Sequence, residues 1–140
     1  DYQEQYAVLY IKKMTRRIAE IISFLEREET DSLTLTGAKE KKTFFLKPEE
    51  MVLVRTEGRE IICYDKLKNR YVLDKPLYEL EQILDSHFVR ISKSTIINIR
   101  QINHVEAGFN GTMELVMKNG VTDYISRNYR KSFKERLGLK

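Results

Sequence analysis

The sequence predicts a mainly β domain of the α+β class, built from antiparallel sheets with a few short helices and preceded by one amphipathic helix. From Leu33 onward, short runs of β-favouring residues follow one another at close intervals. Turn-forming pairs separate these runs, and Asn110-Gly111 is the pair most typical of a tight β-hairpin. Strands at this density, joined by short turns, favour a mainly antiparallel architecture.

The first 31 residues form a separate N-terminal segment. Within it, residues Asp1–Glu29 are predicted to form a single helix. They contain no Gly or Pro, and the polar run Thr30-Asp31-Ser32 follows. Apolar residues recur at 3-4-3-4 spacing, which gives one apolar stripe made of Ile11, Met14, Ile18, Ile21 and Leu25. The stripe needs a partner, which is the rest of the domain, a second copy or an upstream domain. We place the domain boundary here, so that residues 32–140 form the β domain.

The strands are placed by their β-favouring residues and by the turn signals between them. In chain order the predicted strands are Leu33–Thr36, Thr43–Leu46, Met51–Thr56, Arg59–Asp65, Asn69–Leu73, Asn103–Phe109, Thr112–Met117 and Val121–Ile125. Gly37 is expected between the first two strands, and Glu57-Gly58 is expected to form the turn of the next hairpin. Asn119-Gly120 is a second Asn-Gly signal and precedes the last strand.

Two short helical stretches interrupt the predicted strands. Pro48–Glu50 is predicted to open one helical turn, since Pro is tolerated at a first helical position. Pro76–Asp85 is predicted to form a short amphipathic helix, because Leu77, Leu80 and Leu84 recur at helical spacing.

The stretch Phe88–Ile99, F-V-R-I-S-K-S-T-I-I-N-I, is the one around which the chain is organised. It begins as a β-run, is interrupted by Ser92, Lys93 and Ser94, and ends in a second apolar run. Apolar residues on both sides hold the polar residues on a rigid support. Small hydroxyls and a cation so placed suit a phosphate backbone or a base edge. The alternative is a structural turn with no binding role.

The C-terminal end carries the clearest charge signal. The whole chain has a net charge of +4, whereas residues 127–140 hold six Lys or Arg against one acid. A basic end of this kind indicates a polyanionic partner, with a solvated helix face as the alternative.

A helix is predicted to begin at Arg127, with Ser126 as its N-cap. Its inward face is predicted to consist of Tyr129, Phe133 and Leu137. A second, basic face consists of Arg127, Arg130, Lys131 and Lys134. Free N–H groups at a helix start, next to cations, would form a phosphate site.

The residue types argue against an enzyme, a metal site and a cofactor. Cys63 lies in an apolar strand and is predicted to be a buried structural cysteine. His87 and His104 are the only histidines and lie in different elements, which does not fit a zinc site. No Gly-rich phosphate loop or nucleophile elbow occurs. No apolar run approaches the 18 residues of a membrane span. A single cysteine cannot form an internal disulfide, which fits the cytosol.

Three motifs in order resemble the LytTR family of bacterial DNA-binding domains. The resemblance covers roughly Thr43 to Leu139. The signature matches at Phe88, Arg90, Ser94 and Asn98. Upstream of the signature, Pro76–Glu81 is similar to the short helix that precedes it in the family. Downstream, Gly120 matches the closing Gly of the family. The segment Ser126-Arg127-Asn128-Tyr129 resembles the closing Ser-Arg-Arg-Tyr.

The resemblance implies a ten-stranded β fold whose loops, rather than a recognition helix, enter successive major grooves. It brings together three loops, Thr56–Arg59, Ser92–Ser94 and Ser126–Lys131. The DNA-binding residues it implies are Arg59, Ser92, Lys93, Ser94, Arg127, Asn128, Arg130 and Lys131. Asn128 departs from the family pattern, where a second Arg stands. Since Asn reads adenine whereas Arg prefers guanine, an unusual target sequence is expected.

The function expected is that of a cytosolic DNA-binding output domain of a bacterial response regulator or similar transcription factor. The partners expected are double-stranded promoter repeats, a second copy on the same site, and an upstream receiver domain, which the resemblance implies. The chain begins with Asp1 rather than Met, which indicates a fragment of a longer protein. One alternative is an RNA-binding module, although no aromatic-rich strand resembles a stacking platform and Tyr64 and Tyr71 only superficially suggest one. The other is an interaction module that dimerises through the N-terminal helix. Binding to duplex DNA, and not to single-stranded RNA, separates the three.

Overall fold

The structure, a computed structural model, describes residues 33–139. These residues form ten strands in two antiparallel sheets, together with two short α-helices. The mainly β class and the ten strands expected from the resemblance are confirmed. The predicted N-terminal helix and its apolar stripe lie outside the described residues.

The larger sheet has seven strands. In chain order they are β1 Leu35–Lys39, β2 Lys42–Leu46, β3 Met51–Glu57, β4 Glu60–Asp65, β5 Arg70–Leu73, β6 Phe88–Ser92 and β7 Thr95–Asn98. Their order across the sheet is β2-β1-β5-β4-β3-β7-β6, and every neighbouring pair is antiparallel. The stretch Phe88–Ile99 therefore forms a hairpin, and β3 pairs with its second strand, with Leu53 opposite Ile97.

The smaller sheet has three strands, β8 Ile102–Ala107, β9 Met113–Met117 and β10 Thr122–Ile125, in the order β10-β9-β8. The two α-helices are α1 Leu77–Ile83 and α2 Arg130–Leu137. Four short 3-10 turns are Pro48–Glu50, Ile99–Gln101, Phe109–Gly111 and Arg127–Tyr129. None of the helices in the described part of the chain is long and apolar enough to cross a membrane.

The core lies between the two sheets and α2. Its fully buried members from the larger sheet include Leu53, Ile91 and Ile97, and those from the smaller sheet and α2 are Leu115, Met117, Ile125 and Phe133. Tyr129 and Leu137 are partly buried and pack against the same cluster, so the predicted inward face of the C-terminal helix is confirmed. The three leucines predicted to line the short helix, Leu77, Leu80 and Leu84, are buried as well.

The expectation that Gly37 lies between the first two strands was wrong. Gly37 lies inside β1, opposite Phe44, and the hairpin turns three residues later at Glu40 and Lys41, both at positive φ. A side chain at Gly37 would not fit, because a Cβ there would lie 2.8 Å from both Leu46 Cδ1 and Tyr71 Cβ. The glycine therefore serves close packing across the sheet rather than a turn.

The turn of the second hairpin also differs by one residue from its predicted place. Glu57 pairs with Glu60, so the turn consists of Gly58 and Arg59 rather than Glu57 and Gly58. Gly58 adopts a φ of +64°, a conformation that residues with a side chain rarely take. Arg59 consequently lies at the tip of the hairpin instead of starting a strand.

Asn98, one of the residues shared with the family signature, is a buried polar residue at the end of β7. Its side-chain Nδ2 donates to the Met51 carbonyl at 2.9 Å, and its Oδ1 accepts from the Arg100 backbone N–H at 3.0 Å. The first bond ties β7 to the start of β3, and the second caps the following 3-10 turn. Asn98 is therefore part of the framework.

A polar connection joins the two sheets. Asp123 in β10 accepts at Oδ2 from Arg55 Nη1 of β3 at 3.2 Å and from Thr95 Oγ1 of β7 at 2.9 Å. Arg55 Nη1 also donates to the Thr122 carbonyl at 3.0 Å. Thr95 is 1% exposed, so its hydroxyl is removed from solvent and needs this acceptor. These bonds hold β10 against the last residues of β3 and the first residue of β7.

Glu57, the last residue of β3, organises the residues below the Gly58-Arg59 turn. It accepts from Arg55 Nε and Tyr64 Oη, both at 2.8 Å, and from Arg70 Nη2 at 3.1 Å. Burial disfavours its carboxylate, but the hydrogen bonds from Arg55, Tyr64 and Arg70 outweigh burial and lower the pKa of Glu57.

Replacing Asn98 with Ala should leave the Met51 carbonyl and the Arg100 N–H without their partners. We expect the free energy of unfolding to fall by about 1–3 kcal/mol. Urea denaturation of the full chain measures it. Asn103→Ala is the matched control, since Asn103 is exposed and bonds only to a neighbouring histidine, and its effect should stay within about 0.5 kcal/mol. Equal effects of the two changes would remove Asn98 from the framework.

Glu57→Gln should alter how stability depends on pH. Folding lowers the pKa of Glu57 below its ordinary value of 4.5. The stabilisation that the charged Glu57 provides is therefore complete above pH 4.5 and is lost as the pH falls through the pKa of the folded state. The variant should be less stable than wild type at pH 7 and approach it in acid. Urea midpoints from pH 7 to about pH 3 measure the difference, with exposed Glu49→Gln as control. Parallel curves for Glu57→Gln and wild type would contradict the prediction.

Candidate nucleic-acid interface

The middle loop of the candidate interface is the tight turn between β6 and β7. Ser92 pairs with Thr95, so only Lys93 and Ser94 lie in the turn, and both are exposed. The Ser94 backbone N–H donates to Ser92 Oγ at 3.1 Å, a local bond that favours a turn. The Lys93 side chain therefore leaves the tip of a short, hydrogen-bonded hairpin. The turn predicted at this place is confirmed.

Arg90 holds the backbone of this turn from below. Its Nε donates to the Ser92 carbonyl at 2.9 Å and its Nη2 to the Lys93 carbonyl at 2.6 Å. Its Nη1 forms an ion pair with Glu81 at 2.7 Å, and the Arg90 side chain is only 19% exposed. All three bonds are internal to the domain, so Arg90 positions Lys93. The sequence signal for this role is that Arg90 and Ser92 are two residues apart in one strand.

The first loop lies directly beside the middle one. The Thr56 backbone N–H donates to the Ser94 carbonyl at 2.9 Å, which continues the ladder past the pair Arg55 and Thr95. The β3–β4 hairpin therefore runs alongside the β6–β7 turn and extends beyond it. Arg59 is exposed at its tip.

The third loop lies on the opposite side of the middle one. The Ser126 backbone N–H, directly after β10, donates to the Ile91 carbonyl of β6 at 2.9 Å. Arg127 and Asn128 follow and are exposed. Two backbone hydrogen bonds thus place three loops, distant in sequence, at one end of the larger sheet, with Ser92–Ser94 between the other two.

A helical segment begins at Arg127 as predicted, but the capping bond expected from Ser126 is not made. The phosphate site predicted at the helix start stays a prediction. The Ser126 side chain makes no capping bond, and α2 begins only at Arg130. A 3-10 turn comes first, in which Tyr129 N–H bonds to the Ser126 carbonyl and Arg130 N–H to the Arg127 carbonyl. Because the Tyr129 and Arg130 N–H groups already have acceptors, only the N–H groups of Arg127 and Asn128 could bind an anion here.

The predicted basic face of the C-terminal helix is divided between two places. Arg127 belongs to the 3-10 turn, whose three residues per turn do not continue the spacing of the α-helix. Lys131 is exposed on α2. Arg130 and Lys134 are half-buried and line a groove beside β8 and β9. The structure therefore brings Arg59, the residues of the middle turn, Arg127 and Asn128 to one end, and sets Arg130 apart from them.

Sequence reasoning missed Arg55, which supports the interface without belonging to its exposed tips. The Arg55 side chain links Glu57, below the first loop, to Asp123, three residues before Ser126. A charged residue directly after four apolar strand residues was the available signal. Its partners lie 67 and 68 residues away, so only the fold identifies them.

The chain's single cysteine offers no alternative site. Cys63 is completely buried and free, and burial raises the pKa of its thiol, which disfavours the reactive thiolate. The structural role predicted for Cys63 agrees with this placement. Residues 33–139 also contain no group of three His, Cys, Asp or Glu side chains that could hold a metal ion.

Comparison with known proteins gives a family match. The model of the LytTr DNA-binding domain matches residues 41–138. An uncharacterized HTH-type transcriptional regulator of Staphylococcus aureus strain NCTC 8325 / PS 47 is 30% identical over 136 residues, which is 97% of this chain and 91% of that relative. A regulator with the same description from S. aureus strain MRSA252 is 29% identical over 136 residues, again 97% of this chain and 91% of that relative.

A solved structure has the same fold. The LytTr DNA-binding domain of a response regulator from Bacillus cereus superposes with a TM-score of 0.70, at 20% identity, over 76% of this chain and 97% of that one. In residues 33–139 no two α-helices are consecutive, because five strands separate α1 from α2. The described part of the chain therefore contains no helix-turn-helix, whatever the names of the relatives suggest.

The family model covers more than half of the chain, and the resemblance inferred from the three sequence motifs is confirmed. The fold of the solved domain and the regulators among the relatives agree with it. The chain belongs to the LytTR family of DNA-binding domains, and its function is DNA-binding transcriptional regulation.

Proposed function

We propose that the domain reads duplex DNA with three loops at one end of its larger sheet. The observation that supports this is the pair of backbone hydrogen bonds, Thr56 to Ser94 and Ser126 to Ile91, that sets the loops side by side. The two α-helices of residues 33–139 offer no alternative reader, since they have seven and eight residues and both turn a face into the core. Because bacterial DNA lies in the cytoplasm, the domain acts there.

Lys93 is proposed to read a base. Its backbone is fixed by Arg90 from one side and by the Ser92 turn from the other. A Lys at a fixed tip can donate to guanine O6 and N7 in the major groove. The hydroxyls of Ser92 and Ser94 lie 3.3 Å from each other, and we propose that they shape the turn and contact phosphate.

The flanking loops supply the other contacts. Arg59 and Arg127 are exposed on either side of the middle turn and can pair with guanine in bidentate fashion or with phosphate. Asn128 can pair with adenine. On α2, Lys131 is exposed and is the stronger candidate for a phosphate contact, whereas Arg130 is half-buried against the smaller sheet.

The width of the loop face supports binding as two copies. The face crosses strands β4, β3, β7 and β6, which lie about 5 Å apart, and the third loop extends it, to roughly 20 Å in all. One turn of B-DNA is about 34 Å long. One domain then covers less than a turn, and two copies on repeated sites would read a longer sequence. Promoter repeats are therefore the proposed target.

Two routes of regulation are proposed for the N-terminal segment. The first is connection to an upstream receiver domain, as in response regulators. The second is pairing of two copies through the apolar stripe. The match covers 91% of the first S. aureus relative, so that relative has no room for a receiver domain of ordinary domain size. This favours the second route for chains of that length.

Gel-shift titrations test the proposed reading of duplex DNA. The full chain is titrated with a promoter duplex that carries repeats, with a scrambled duplex and with single-stranded RNA of the same length. Tightest binding to the repeat duplex supports the proposal. Tightest binding to RNA would favour an RNA-binding module, and no binding to any of the three would leave a protein-interaction module.

Lys93→Ala should weaken binding to the cognate duplex by about 1–3 kcal/mol and affect the scrambled duplex much less. The fold should survive, because Lys93 is exposed and only its carbonyl bonds to the domain. Fluorescence anisotropy measures both affinities, circular dichroism checks the fold, and exposed Lys118→Ala is the control for loss of one charge. Arg59→Ala and Asn128→Ala should behave like Lys93→Ala. Equal losses on both duplexes would make Lys93 a phosphate contact.

Binding should weaken steeply with added salt, because each neutralised phosphate releases counterions. Lys131→Ala should weaken binding to all duplexes alike and reduce the slope of log affinity against log salt by about one unit. The measurement is a titration series at several salt concentrations for wild type and variant. An affinity that barely changes with salt would argue against the proposed contacts with the DNA backbone.

A further inference from the structure

A groove of about 620 Å³ lies between the β8–β9 hairpin and α2. Its walls are mainly apolar on the sheet side, and two cations come from the helix. The residues that matter are Val105, Ala107, Met113 and Leu139 on the apolar side and Arg130 and Lys134 on the basic side. A volume of this size falls within the range of small-molecule sites.

Local structure explains why these side chains meet. Met113 pairs with Ala107 across the two strands, which sets the apolar wall. The helix ends at Gly138, which takes a left-handed φ of 69°, and the Leu139 N–H bonds to the Lys134 carbonyl at 2.8 Å. This is a Schellman ending, in which the residue after the glycine folds back along the last turn. It brings Leu139 beside Lys134 and completes the groove.

The basic side of the groove lacks an anionic partner. Arg130 Nε is buried and has no hydrogen-bond acceptor among the described residues. The one acid that lines the groove, Glu106, has an oxygen 2.7 Å from His104 Nε2 and is paired there. A buried donor without an acceptor is unfavourable, and a charged donor more so. A ligand that brings a carboxylate to Arg130 would remove this cost.

We propose that the groove binds a small amphipathic carboxylate with an alkyl chain, as in a medium-chain fatty acid. The carboxylate would accept from Arg130 Nε, with Lys134 one helical turn away adding positive charge. The alkyl chain would lie along Val105, Met113 and Leu139. Charge complementarity selects an anion, and the apolar wall selects a chain over a nucleic-acid backbone, which is polar along its whole length.

The test is a titration of the full chain with dodecanoate, below its micelle concentration, observed through ¹³C-labelled methionine methyl groups. Met113 lines the groove, whereas Met51 and Met117 are each 1% exposed in the core and report on the fold. Met113 should shift and saturate while Met51 and Met117 stay in place. Dodecanol, which has the same chain without the charge, should bind at least tenfold more weakly. No DNA is present, so the outcome is independent of how the loops read DNA.

Two variants test the role assigned to the cation. Arg130→Gln keeps most of the side-chain length and removes the charge, so dodecanoate should bind at least tenfold more weakly. Lys118→Gln removes a charge from an exposed residue outside the groove and should leave the dodecanoate affinity unchanged. Ala107→Phe should block the groove, and unchanged Met51 and Met117 signals would show that its fold is intact.

Several results would overturn the proposal. One is an unmoved Met113 at saturating dodecanoate, and another is equal affinity for dodecanoate and dodecanol. A third is an unchanged dodecanoate affinity in Arg130→Gln. Simultaneous shifts of Met51 and Met113 would mean general solubilisation of the core. Binding of an acidic peptide at Met113 without binding of dodecanoate would make the groove a protein-docking surface instead.

Discussion

The end of this domain that is proposed to bind DNA depends on how the two sheets are joined at Asp123. Apolar packing between the sheets supplies most of the stabilisation, but it is not directional and tolerates sliding. Hydrogen bonds from Arg55 and Thr95 to one carboxylate are directional and fix β10 against β3 and β7. Ser126 follows Asp123 by three residues, and its backbone N–H donates to the Ile91 carbonyl. The position of the third loop therefore depends on the bonds at Asp123.

Each exposed tip has its own support beneath it. Glu57 gathers Arg55, Tyr64 and Arg70 below the first loop, and Arg90 holds two carbonyls of the middle turn. The charged side chains of Arg55, Glu57 and Arg90 thus form contacts within the domain. The exposed cations at the tips can contact a ligand. A rigid base with free polar tips suits base reading, because little conformational entropy is lost when a preorganised loop binds.

The basic residues of the C-terminal segment do not form one surface. The 3-10 turn before α2 separates Arg127 and Asn128 from the helix, and within α2 the exposed Lys131 is divided from the half-buried Arg130. The net charge of this end is accordingly shared between the loop face and the groove beside β8 and β9. A count of charges along the sequence cannot make this division, since it depends on which side of a helix meets a sheet.

The sequence by itself determined the fold class, most of the strands, the exposed turn at Ser92–Ser94 and the inward face of Phe133. These follow from local backbone preference and from hydrophobic periodicity, which are written in neighbouring residues. Tertiary structure decided that Gly37 lies within a strand and that Arg55 supports the loops. Each of these depends on atoms brought together from distant parts of the chain, as the Gly37 contact with Tyr71 and the Arg55 bond to Asp123 show. Such contacts exist only once the sheets have formed, and local sequence carries no record of them.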